Sequence, residues 1–274
     1  MGVFLTFAAD LEKSMMKSYW IHYIAGLFLM LIVGVLTACQ PNAQWRDYEC
    51  YGVLRTEHIS EPREMDVKID LQFLKTDKDA SANVCQRINA QLKELLLKQS
   101  GDLGDEEAVD LYIDDVKAEF RANEIWEKYS EELTGRVEYG TDHIVNYRLT
   151  ENSFAGGAHP SSVTTILRFD AQTGDFISLD NVFPTHRQGR LKELLLRRLM
   201  QDVHVSTLED LRAKGYLEWM DMFISSNFAL REDSIEFFYN EYDIAPYAVG
   251  ACTICLGYDE AKEVMADAPQ KEIQ

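Results

Sequence analysis

Residues 152–160, Asn152-Ser153-Phe154-Ala155-Gly156-Gly157-Ala158-His159-Pro160, stand between two runs that read as strands. Adjacent glycines admit positive φ, Pro160 fixes its own φ, and the residue before a proline is pushed out of the helical region. No regular element can cross this stretch, so the chain must turn here and present His159 on a shaped loop. Two roles are open for His159 at this point: contact with a ligand or a reacting group, and hydrogen bonding that only holds the loop. Gly156 and Gly157 read most simply as backbone devices that give the loop its shape.

On the N-terminal side of the loop, Tyr48 to His58 and Met65 to Leu74 read as strands. The second alternates Val67, Ile69, Leu71 and Phe73 on one face. Ser81 to Gln99 carries a helical stripe of Val84, Ile88, Leu92, Leu95 and Leu96, and a longer helix is expected from Glu106 to Leu133, closed by Gly135. Arg136 to Thr150 returns to strand, as a hairpin turned at 139–142. Beyond the loop come a strand at Val163–Phe169, a turn at 170–175 and a short continuation at 176–179. A helix at His186–Asp202 and a short helix at Ser206–Lys214, N-capped by Ser206, follow. A hairpin at 228–239, a strand at Ala251–Leu256 and a helical turn or two at Asp259–Met265 complete the order. Strands and helices come in clumps rather than strict alternation. The fold class expected is α+β, a mainly antiparallel sheet packed with helices, as two subdomains in one compact body divided near Thr150.

The N-terminus reads as an address. Tyr19 to Ala38 is a run of 20 residues without a charge, with Lys17 just before it and Met15-Met16 as a usual start for a short basic region. The run ends in Leu36-Thr37-Ala38-Cys39, which resembles the lipobox of bacterial lipoproteins, with Cys39 the residue to be lipidated. A plain membrane anchor is the alternative, since 20 apolar residues can span a bilayer. The small residues before Cys39 and the polar stretch after it favour cleavage. The expected layout is a signal peptide at 1–39, a tether at 40–47, subdomains at 48–150 and 151–265, and a tail at 266–274. The expected location is extracytoplasmic, anchored by lipid to a bacterial membrane, the outer one first.

Charge narrows the partners. The formal net charge is −19, from 46 acidic and 27 basic residues, and the first 39 residues hold two of each sign. So acidic a surface repels phosphate backbones, which excludes nucleic acid and favours a cationic partner. The acidic clusters Asp105-Glu106-Glu107 and Asp114-Asp115 fit such a partner, and equally fit solvated helix faces and a helix N-terminus. Four cysteines follow Cys39. Cys50, Cys85, Cys252 and Cys255 permit two disulfides in an oxidising compartment, with the pairing open. Cys252 and Cys255 lie in a β-like run, where residues three apart point to opposite faces, so neither redox chemistry nor a metal site is expected of them. No G-x-S-x-G elbow, H-E-x-x-H helix or phosphate loop occurs, so no catalytic residue and no cofactor is assigned. A pair of carboxylates for glycan hydrolysis stays open, because their separation in space is hidden by the sequence.

Three stretches, in this order, carry a resemblance: Gly156-Gly157-Ala158-His159-Pro160, then Thr165 to Asp175 (TILRFDAQTGD) with Leu179-Asp180-Asn181-Val182-Phe183, then Phe237 to Gly250 (FFYNEYDIAPYAVG). Together they resemble the extracellular domain of lysozyme-sensing anti-sigma factors of the RsiV type, a domain also found in front of peptidoglycan deacetylases. The resemblance is strongest over residues 145–262. It implies an α+β domain outside the cytoplasm that binds lysozyme or peptidoglycan. Only 18 residues precede Tyr19, too few for a sigma-binding segment, and no paired-histidine metal domain follows residue 262. Neither anti-sigma nor deacetylase activity is therefore expected. The candidate ligand-binding residues are His159, Gly156, Gly157, Tyr242 and Tyr247, although core packing explains the tyrosines equally well at this point. The function expected is a lipid-anchored binding protein of the cell envelope, recognising a lysozyme-like protein or peptidoglycan. The alternative is a cell-wall hydrolase or esterase.

Overall fold

A computed structural model of the chain describes residues 48–124, 126–140 and 143–266. Cys39, the expected signal peptide and tether, and residues 267–274 lie outside the described residues. Strand β1 (Glu49–Ile59) and strand β2 (Glu64–Lys75) pair as an antiparallel hairpin from Glu49↔Lys75 to Ile59↔Met65. The alternation of β2 sends Met65, Val67, Ile69, Leu71 and Phe73 to a buried face, and Asp66, Lys68, Asp70 and Gln72 to the opposite one. Two helices cover the apolar face. Helix α1 (Asp79–Leu92) buries Val84, Ile88 and Leu92, then widens into a π-helical stretch at Lys93–Leu97. The wider turn rotates the stripe, so Leu97 is buried while Leu95 of the expected stripe is exposed. Helix α2 (Asp105–Ala122) buries Ala108, Val109, Ile113 and Phe120.

Here the structure departs from the expected helix at Glu106–Leu133. Helix α2 stops at Ala122, and strand β3 (Lys128–Gly140) begins six residues later, parallel to β2 from Glu64↔Lys128 to Leu71↔Gly135. Arg63 fixes the stop: its guanidinium donates to the carbonyls of Phe120 (2.9 Å), Trp126 (3.0 Å) and Asn123 and lies 4.6 Å from the Phe120 ring centre. Trp126 and Tyr129 stack at 4.8 Å instead of lining a helix. A parallel pair needs a long crossover, which α1 and α2 supply. Strand β4 (Ile144–Phe154) and strand β5 (Ser161–Asp170) extend the sheet antiparallel, so it is mixed, in the order β1-β2-β3-β4-β5. Thr150 lies inside β4. Gly135 is an interior residue of β3, and a Cβ there would stand 2.1 Å from the Tyr147 hydroxyl and 2.7 Å from Leu71 Cδ2. That hydroxyl is itself buried and, among the described residues, makes no hydrogen bond of good geometry, with the backbone of Gln72 as a polar neighbour. Nearer the start of β3 the buried carboxylate of Glu131 accepts from the hydroxyls of Tyr129 (2.6 Å) and Tyr112.

The second core is built after β5. Short helix α3 (Leu179–Val182) is capped reciprocally by Ser178 and Asn181, and helix α4 (Gln188–Asp202) buries Leu191, Leu195 and Leu199. Helix α5 (Leu208–Ala213) is N-capped by Thr207, one residue after the expected Ser206, because the Thr207 hydroxyl reaches the Asp210 amide at 3.0 Å. Strands β6 (Phe228–Leu230), β7 (Ser234–Tyr239) and β8 (Cys252–Gly257) form an antiparallel sheet, and α6 (Tyr258–Ala261) follows. Phe183, Phe228 and Phe237 meet in a three-ring cluster with centroids 5.6–6.0 Å apart. Cys50, Cys85, Cys252 and Cys255 are all free thiols.

Side-chain amides join the two sheets. Asn146 of β4, fully buried, donates to Leu230 O at 2.7 Å and accepts from Leu230 N at 3.3 Å. Asn240 and Asn227 occupy the outer edge of β5: their side-chain oxygens accept from Thr164 N and Ile166 N at 2.7 and 2.5 Å, and both amides donate to Thr164 O. The polar groups of that edge are thereby satisfied without another strand.

Candidate functional site

The loop between β4 and β5 has the form its sequence requires. Gly156 and Gly157 take φ of +90° and +115°, and a Cβ at either would meet no atom within 4 Å. Backbone conformation alone, not crowding, selects glycine at both. The loop holds His159 exposed, with Nδ1 2.9 Å from its neighbour Pro160 O. A carbonyl only accepts, so in the neutral ring Nδ1 carries the proton and Nε2 is the acceptor. The Tyr242 hydroxyl, 3.1 Å away, donates to that Nε2.

Three of the five sequence candidates therefore meet in space. The His159 ring stacks on Tyr247 at 3.8 Å and 16°, and Tyr242 lies 6.2 Å from Tyr247 at 28°. Gly156 and Gly157 shape the loop beside them. Both tyrosines are exposed, Tyr242 by 58% and Tyr247 by 37%, so they form a stacked ladder on the surface rather than core. Tyr242 sits at φ +70°, a conformation costing a non-glycine residue of order 1 kcal/mol. A tight turn holds it there: Tyr242 N donates to Ala245 O, and Asn240 N to the Asp243 carboxylate.

Sequence reasoning missed the neighbouring segment. Leu217 N donates to Ile244 O at 2.8 Å, which lays residues 215–225 alongside residues 240–250. That strip exposes Trp219 by 77%, with Met220 and Phe223 also exposed. It lies in an irregular stretch without apolar period, which is why its sequence gave no signal. Glu218, Asp221, Glu241 and Asp243 intersperse the aromatic residues, and residues 215–230 and 240–250 contain no lysine or arginine. Arg212 reaches the edge of the strip, donating to Leu217 O at 3.2 Å, and exposed aromatic side chains interspersed with carboxylates suit contact with a cationic macromolecule.

Pro160 also borders a groove of about 480 Å³ over the polar face of the five-stranded sheet, lined by His58, Asp66, Lys68, Ser130, Glu132 and Phe154. Its charges are paired: His58 Nδ1 lies 2.7 Å from Asp66, and Lys68 Nζ 2.6 Å from Glu132. The registers place Asp66 between His58 and Ser130. A nucleophilic serine would need the histidine next to it, so this row does not form a serine–histidine–carboxylate relay. The acidic start of α2 is likewise engaged internally, Arg55 binding Glu106 at 2.9 Å and Asp110 at 2.7 Å, and Lys93 binding Asp105 at 2.8 Å. Among the described residues no cluster of three or more metal-ligating side chains occurs, and no helix is long and apolar enough to cross a membrane.

Comparison with known proteins bears on the same region. A DUF3298 protein from Bacteroides fragilis NCTC 9343 superposes with a TM-score of 0.71 at 24% identity, covering 85% of this chain and 99% of that one. A DUF3298 family protein from Pseudomonas aeruginosa PAO1 superposes with a TM-score of 0.59 at 14% identity, covering 83% and 96%. These likenesses extend the shared fold to both halves of the described chain. No curated protein matches. The family model "Protein of unknown function (DUF3298)" matches residues 180–259, from α3 into α6. The chain thus carries a DUF3298 domain that includes Tyr242 and Tyr247, with His159 reaching it from the loop between β4 and β5.

Proposed function

We propose that this protein is an extracytoplasmic binding protein of the bacterial cell envelope, held by a lipid on Cys39, whose partner is a cationic, lysozyme-like protein. The observation that carries the reading is the exposed His159–Tyr247–Tyr242 ladder, with exposed Trp219 on the adjoining segment and acidic residues interspersed in both segments. Aromatic anchors ringed by polar groups dominate protein interfaces, and a chain of net charge −19 attracts a basic partner over a distance. The resemblance to the lysozyme-sensing family points to the same class. The test is binding of the purified protein to lysozyme at low and at physiological salt, beside an equally basic protein of unrelated shape. Salt-weakened binding of lysozyme alone is expected; equal retention of both proteins, or of neither, removes the reading.

Peptidoglycan is the second reading, favoured by stacked rings next to a polar groove, an arrangement that suits sugar faces. Sedimentation with purified peptidoglycan separates the two, since a glycan partner survives added salt and a steered protein partner does not.

A further inference from the structure

Arg168 of β5 is 2% exposed, yet among the described residues it pairs with no carboxylate. Its Nε donates to Ile177 O at 3.1 Å, and its Nη1 faces Ile166 O, Ser226 O and Phe228 O at 3.0, 3.1 and 2.8 Å. The guanidinium lies 3.8 Å from the centre of the Phe228 ring and 5.3 Å from that of Phe176. The third nitrogen, Nη2, with two protons to donate, has no acceptor among the described residues. Burial without a counter-ion lowers the pKa of the group, because desolvation penalises the charged form. A buried cation is costly unless paired, and the carbonyls supply dipoles but no charge.

The residue lines a pocket of about 660 Å³ at the outer edge of β5. Ile166, Phe176 and Leu179 give the pocket apolar walls, and Asp180 contributes a carboxylate whose Oδ1 already accepts from Gln188 Nε2 at 2.7 Å. We propose that this pocket binds a small monocarboxylate with an apolar body, its carboxylate meeting Nη2 of Arg168. The ligand would supply the missing counter-charge by a charge-assisted hydrogen bond. Asp180 on the same wall disfavours a multiply charged anion such as phosphate, and the apolar walls favour a hydrocarbon body over a bare ion. The proposal does not depend on the partner proposed for the aromatic ladder.

The test uses the full protein labelled with ¹⁵N-arginine and titrated with 3-phenylpropanoate, its neutral amide and inorganic phosphate. The Arg168 side-chain resonance is expected to shift with the carboxylate at a Kd of about 1 mM or tighter, and at least about tenfold more weakly with the amide and with phosphate. In Arg168→Ala, read by calorimetric titration since the reporting side chain is gone, binding of the carboxylate is expected to weaken at least about tenfold. Because Arg168 also ties backbone carbonyls, Asp180→Asn provides an independent arm, expected to leave the fold intact and raise phosphate affinity. Equal binding of amide and carboxylate, an Arg168 signal unmoved by the carboxylate, or unchanged phosphate affinity in Asp180→Asn overturns the proposal.

Discussion

The Tyr242 hydroxyl donates to Nε2 of His159 across 83 residues of sequence, while the same imidazole stacks on Tyr247 at 3.8 Å. One ring thus links the loop after β4 to the turn after β7. If this ladder is a binding surface, Tyr247→Ala and Trp219→Ala each weaken partner binding by about tenfold, the range of an aromatic anchor. Trp219, 77% exposed, should leave folding stability within about 0.5 kcal/mol when replaced, whereas Tyr247→Ala should lose about the 0.5–1.5 kcal/mol of its stack on His159. Calorimetric titration with lysozyme, beside denaturant melts, reads both effects. Unchanged affinity in both variants would dismiss the ladder as a contact surface.

His159 and Tyr247 should behave as a coupled pair. Stacked rings contribute about 0.5–1.5 kcal/mol beyond their area, so a double-mutant cycle of His159→Ala and Tyr247→Ala should show coupling of about that size. Additive effects would mean that the stack carries no energy of its own.

Gly135→Ala should destabilise the protein by about 1–3 kcal/mol, because its Cβ would collide with the Tyr147 hydroxyl. Tyr147→Phe removes that hydroxyl, which is buried and among the described residues makes no hydrogen bond of good geometry, and should be neutral or stabilising by about 1 kcal/mol. The double variant should recover part of the Gly135→Ala loss. Urea midpoints of the three proteins test the relation, and a Tyr147→Phe variant as unstable as Gly135→Ala would contradict it.

Arg63→Ala should cost about 1.5–3 kcal/mol, the worth of charge-assisted bonds to carbonyls at a helix end. Loss of amide protection should concentrate in residues 117–133, which hydrogen exchange resolves. Protection lost evenly over the chain would argue against a local stop.

Glu151 carries a pH dependence. Burial first, and the charge of Glu131 second, raise its pKa above the ordinary carboxyl value. A folded carboxyl with a raised pKa holds its proton more tightly than the unfolded chain does. Its contribution to stability is therefore lost as pH climbs from the unfolded value through the folded one. Glu151→Gln, uncharged throughout, should be more stable than the parent at neutral pH and indistinguishable from it below about pH 4. A gain of equal size at both pH values would assign the effect to packing instead.

The chain's elements differ in how openly the sequence displays them. The β1–β2 hairpin is legible because alternation at Val67, Ile69, Leu71 and Phe73 is a local signal. The start of β3 is not, since Trp126, Tyr129 and Leu133 fall three and four residues apart and satisfy a helical period. Only the parallel pairing of β3 with Glu64–Leu71, a non-local interaction, makes Tyr129 and Leu133 strand, and Trp126 falls just before it. His159, Tyr242 and Tyr247 were visible as separate landmarks, but their contact belongs to the fold and not to any local pattern. Trp219 lies outside periodic structure. Arg168 reads as one cation in an ordinary strand, because what isolates it is the absence of a partner in three dimensions.

The amides of Asn146, Asn227 and Asn240 have one more consequence. Each bonds a backbone group on the far side of the boundary between the two cores, and each loses those bonds together if either core opens. Asn146 is buried and Asn227 and Asn240 half-buried, and amides stripped of such partners are costly, so neither core gains by melting ahead of the other. Fluorescence from Trp126 in the first core and from Trp219 near the second should report one shared thermal midpoint, the behaviour of a single cooperative unit spanning both sheets.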